Sequence, residues 1–82
     1  MFAIDLIAVD GRTEERQVES LPSQADLLSF FVEDGKICHK YESVHLAELD
    51  ENGRVVEYIA TAERWPVLQV TFEPRYLELA GL

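Results

Sequence analysis

The chain has 82 residues, 48% of them hydrophobic, and sixteen acidic against seven basic residues for a formal charge of −9. That suffices for one small core, with residues 1–82 as a single domain, and is too apolar for a disordered acidic tail. The charge argues against direct nucleic-acid binding, which needs Lys and Arg on phosphates, and against an anionic membrane surface; no apolar run reaches the roughly eighteen residues of a membrane span.

Phe2 to Val9 reads as a first strand, apolar on both parities and therefore central. Asp5 within it, and the lack of a basic leading segment, separate it from a signal peptide. Asp10-Gly11 is a hairpin signal. Arg12 to Glu19 follows as a polar second strand, with Val18 its one large apolar residue. It is expected at a sheet edge, where charges discourage pairing with other chains.

Ser23 to Gly35 predicts the one helix of the chain. Ser23 is a suitable N-cap, Asp26 completes a capping-box spacing, and Gly35 is positioned to close the helix. Ala25, Leu27, Leu28, Phe31 and Val32 share one face at helical spacing. A helix this short needs an apolar surface to lie on. Phe30 falls beside its polar edge.

Lys36 to Leu49 is the third strand. Neither parity is apolar throughout, and a bulge near Glu42 to Ser43 would place Ile37, Tyr41, Val44 and Leu46 on one side. Asp50 to Gly53 is the next turn. Arg54 to Arg64 fits both strand and helix spacing; the preceding Asn-Gly favours a strand. Trp65-Pro66 breaks the chain. Val67 to Glu73 is a half-buried strand with Leu68, Val70 and Phe72 inward. Arg75 to Leu82 is a short tail whose Tyr76, Leu77 and Leu79 can dock on the core. The order ββαβββ predicts an α+β fold: a small antiparallel sheet of about five strands with one helix packed on one face.

Cys38, His39 and His45 raise a metal or thiol hypothesis. His39 and His45 share a strand face but lie six residues apart, about 20 Å at about 3.3 Å per residue. A single metal needs nitrogen ligands at about 2 Å. Cys38 and His39, adjacent in a strand, point apart and cannot easily share a proton. No phosphate loop, nucleophile elbow or zinc pattern is present. The expectation is no enzymatic activity, no metal and no cofactor. The lone Cys38 forms no internal disulfide and fits a reducing cytoplasm.

What remains is acidity. Glu33 and Asp34 at the expected helix end, Asp50 and Glu51 in the second turn, and Phe30, which either packs on the sheet margin or stays partly exposed as a contact residue, are the candidate partner-binding residues. The leading expectation is a non-enzymatic acidic module, an inhibitor or adaptor that binds a basic, nucleic-acid-binding protein by mimicking nucleic-acid charge. Phage-type anti-defence inhibitors include proteins of this class. The alternatives are a self-assembling structural protein and a small metal- or ligand-binding protein using His39, Tyr41 and His45. Monomer and homodimer both fit the sequence.

Overall fold

In a computed structural model describing residues 1–82, the chain forms an α+β fold built on a five-stranded antiparallel sheet. The strands are β1 (Phe2–Ala8), β2 (Thr13–Val18), β3 (Val32–Glu33), β4 (Lys36–Ile37), β5 (Tyr41–Leu49), β6 (Val55–Glu63) and β7 (Gln69–Phe72). Helix α1 spans Gln24–Leu28 and α2 spans Pro74–Leu79. The main sheet runs β2-β1-β5-β6-β7, and β3 and β4 form a separate hairpin. No helix is long and apolar enough to cross a membrane.

As the apolar parity predicts, β1 is central, paired with β2 on one side and β5 on the other. Ile4 and Leu6 of β1, Val44 and Leu46 of β5, and Ile59, Ala60 and Ala62 of β6 are buried in one core with Leu27, Phe31, Tyr41 and Tyr76. The helices therefore cover the same face. Burying a side chain the size of Phe31 contributes roughly 2–3 kcal/mol, so this shared layer is the main source of stability.

The bulge expected near Glu42 is present. Ile7 pairs with Ser43 and Ala8 with Tyr41, so Glu42 is the extra residue. It shifts the parity and lets Tyr41 join Val44 and Leu46 in the core. Arg54 to Arg64 resolves as strand β6, which carries two further irregularities, at Val56 and Ile59.

The central segment departs from the sequence reading. Ser23 does cap α1 through a reciprocal box: its Oγ accepts from the Asp26 amide at 3.1 Å, and Asp26 Oδ2 accepts from the Ser23 amide at 2.9 Å. The helix nevertheless ends at Leu28, and a 3-10 turn, Ser29–Phe31, leads into the β3–β4 hairpin. Asp34 and Gly35 both have positive φ, 53° and 77°, as a two-residue hairpin turn requires. Gly35 thus serves the hairpin rather than a helix end. Leu27 and Phe31 are buried as expected, whereas Val32 is exposed in β3 and Ile37 lies outside β5.

The tail folds as α2 behind Pro74, a residue suited to a first helical turn. Tyr76 donates from its hydroxyl to the Pro22 carbonyl at 2.6 Å, tying α2 to the segment before α1. Arg75 grips Glu48 of β5 bidentately, both bonds at 2.9 Å. The guanidinium holds the Glu48 carboxyl below the usual carboxylate range, and Arg75 is itself shifted up.

Candidate functional site: the open face of the sheet

With both helices on one side, the opposite face of the sheet has no covering layer. Register fixes what it presents. Asp5 pairs with Glu15 and with His45, His45 with Thr61, and Thr61 with Thr71, giving one row across all five strands. The row on one side is Thr13, Ile7, Ser43, Glu63 and Gln69. The row on the other is Gln17, Ala3, Ala47 and Tyr58. These rows hold the carboxylates of Asp5, Glu15 and Glu63 and no Lys or Arg. The seven basic residues stand elsewhere: Arg16 is in register with Ile4, Lys36 is in β4, Arg75 is on α2, and Arg12, Lys40, Arg54 and Arg64 are in connections.

The centre of this face is an open groove of about 660 Å³ lined by Asp5, Ile7, Thr13, Glu14, Glu15, His45 and Tyr58. Ala3 and Ala47 are fully buried although no helix covers them. The small side chains leave room for Tyr58, which reaches diagonally across the sheet and donates to Asp5 Oδ2 at 2.8 Å. Its phenol pKa is pushed up, first by that bond, then by burial and by the charges of Asp5 and Glu15. Tyr58 therefore remains a neutral donor well into alkaline solution. The His45 ring stands edge-on to Tyr58 at 6.4 Å, and its Nε2 lies 2.9 Å from Ser43 Oγ.

Ser43 and His45 stand at the hydrogen-bond distance that a nucleophile and its base require. No carboxylate is hydrogen-bonded to the imidazole, and Asp5 accepts from Tyr58.

The residues singled out in the sequence are dispersed. Phe30 is half-buried at the sheet margin on the helical face, edge-on to Tyr41 at 6.2 Å with the Arg16 guanidinium 5.3 Å from its ring centroid. Glu33 pairs with Lys36 in the small hairpin, and Asp34 sits in its turn. Asp50 is occupied by its own turn: its Oδ1 accepts from the Asn52 and Arg54 amides at 2.8 and 2.9 Å. Glu51 is exposed beside it. The hairpin precedes the start of β5, and the Asp50 turn follows its end. A nine-residue strand, about 30 Å at about 3.3 Å per residue, lies between the two acidic pairs. The two pairs belong to different turns.

The two imidazoles engage different neighbours, His39 the Arg64 guanidinium and His45 the Ser43 hydroxyl. No group of three or more His, Cys, Asp or Glu side chains is disposed to hold a metal ion. Cys38 is a half-buried free thiol.

Sequence reasoning missed the convergence of Asp5, Glu15, His45 and Tyr58. The one available signal was Asp5 itself, a carboxylate interrupting an otherwise apolar strand. It also missed the exposure of Trp65, 80% open to solvent in the β6–β7 connection. Comparison with protein-family models, curated proteins and solved structures returns no match for this chain.

Proposed function

We propose that the protein is a non-enzymatic acidic binding module, an inhibitor or adaptor, that receives a basic protein partner on the open face of its sheet. The carrying observation is the sign of that face: three carboxylates in register and no Lys or Arg across five strands. A partner presenting Arg or Lys would meet paired acceptors on a rigid sheet, with Tyr58 and His45 as aromatic walls. A net charge of −9 adds long-range attraction to such a surface. A nucleic-acid-binding protein, whose groove is already built to hold rows of phosphates, is the natural class of partner. The cytoplasm is the compartment that best fits the lone reduced thiol.

Self-assembly through this face is disfavoured by the same charges, because a two-fold mate would bring Asp5 and Glu15 against themselves. The test is capture of partners from the source cell, identification by mass spectrometry, and titration of the purified pair at low and high salt. The reading expects affinity to fall steeply with salt and to drop at least about tenfold, or about 1.4 kcal/mol, in the Asp5→Asn/Glu15→Gln double variant. Salt-insensitive binding, or full affinity in that variant, refutes it.

A further inference from the structure

The two long edges of the sheet are not equally protected. On one side β2 carries Glu14, Glu15 and Arg16 in sequence, charged side chains that blunt an edge. On the other side β7 is too short to cover β6. Its ladder pairs only Ala60 to Glu63, and one further bond runs from the Glu73 amide to the Ile59 carbonyl at 2.9 Å. The first half of β6, Val55 to Tyr58, therefore has β5 on one side and no strand on the other. Val55, Val56 and Tyr58 in this stretch are open, with Val56 58% and Tyr58 49% exposed, and Glu57 stands between them. No lysine or proline stands in it; its one charge is Glu57 and its one irregularity is the extra residue Val56.

We infer that this half-strand is a docking edge, and that its occupant is an extended basic segment of a partner protein, added antiparallel or parallel to β6. Strand addition supplies affinity through main-chain hydrogen bonds and selects by the alternate side chains. The local charge selects the occupant. Glu51 stands before the open stretch, Glu57 within it and Glu73 at its far end; of the neighbouring cations, Arg54 precedes the stretch and Arg75 is engaged by Glu48 and Glu78. A second copy docking here would bring two equally acidic edges together, and with the axis at Glu57 it would set that glutamate directly against its own image, which is destabilising. A segment alternating Val or Ile with Lys or Arg satisfies both the apolar and the acidic positions. The inference shares with the proposed function only the sign of the partner's charge, and the edge and the open face are separable by experiment.

The probe is an acetylated, amidated hexapeptide of alternating valine and lysine, titrated into the full-length protein while backbone amides are followed by NMR. Saturable shifts at residues 55–59 are expected. Binding should weaken by about tenfold or more when alternate peptide nitrogens are methylated, and equally in Val56→Lys, an exposed position where a guard residue leaves the fold intact. The Asp5→Asn/Glu15→Gln variant should bind the peptide at this edge as the parent does. Absence of shifts at 55–59, or unchanged binding of the methylated peptide, overturns the inference. Shifts confined to the row of Asp5, Glu15 and His45 overturn it too, while leaving the open-face reading standing. Shifts at 55–59 that grow with protein concentration alone assign the edge to a second copy and overturn it as well.

Discussion

Two tyrosine hydroxyls in this molecule make bonds of similar length in opposite surroundings, and removing each should give very different results. Tyr76 is 6% exposed, stacks on Phe72 with ring centroids 4.3 Å apart, and donates to the Pro22 carbonyl at 2.6 Å. Tyr76→Phe keeps the ring and the stack, so no cavity opens. It strands the buried Pro22 carbonyl, which lies ahead of the helical ladder, at a cost of about 1–3 kcal/mol. A domain of this length is expected to be stable by roughly 4–12 kcal/mol in all, at about 0.05–0.15 kcal/mol per residue. One oxygen atom therefore removes a large fraction of the total. With a urea slope near 1 kcal/mol per molar, the unfolding midpoint should fall by about 1–3 M. Tyr58→Phe deletes a bond of 2.8 Å to Asp5 where both groups reach water. Water replaces the lost donor, and the change should stay within about 0.5 kcal/mol. Urea denaturation followed by far-ultraviolet circular dichroism measures both. Equal shifts in the two variants, or Tyr76→Phe within about 0.5 kcal/mol of the parent, would refute the assignment of Tyr76 as the anchor between α2 and the segment before α1.

Ser23→Ala removes one arm of the capping box and should cost about 1 kcal/mol by the same denaturation assay; replacement by Gly should cost only a few tenths. Gly35→Ala places a β-carbon at φ 77° with nothing within 4 Å of it, so any loss, about 1–2 kcal/mol, is conformational and confined to the β3–β4 hairpin. Amide exchange should show that hairpin opening while the main sheet stays protected. Asp5→Asn should move the Tyr58 phenol back toward its ordinary value near 10, read by ultraviolet difference titration. Because folding raises this phenol, its contribution to stability is complete below about pH 10, the unfolded value, and is lost as pH rises through the folded value. Alkaline unfolding of the parent should accordingly show a component that Tyr58→Phe lacks.

How much of this was legible in the chain depended on how local the cause was. The capping box at Ser23 is a three-residue relation, and it stands as read. The bulge at Glu42 was visible as a break in alternation, because two apolar runs of opposite parity must be joined somewhere. The end of α1 was misread because Asp34-Gly35 is compatible with both a helix end and a hairpin turn. Val32 continued the helical spacing by coincidence, and only burial of Phe31 against the sheet decides between the two. The open face was not legible at all. Tyr58 and Asp5 are joined by strand order and register, and the alanines that admit the tyrosine ring, Ala3 and Ala47, look in sequence like ordinary core residues. Trp65 is the converse case: its composition implies burial, and its position in a connection leaves it in water.

The strand order has a kinetic consequence. The β1–β2, β5–β6 and β6–β7 ladders are hairpins that close over short loops, but β1 meets β5 by joining residues as distant as Phe2 and Glu48. The molecule is thus two locally assembled halves stitched along a single interior seam. That seam joins residues far apart in the chain, so its zipping should govern the speed of folding. During synthesis on the ribosome, the first hairpin must wait, one flank of β1 unsatisfied, until β5 has emerged.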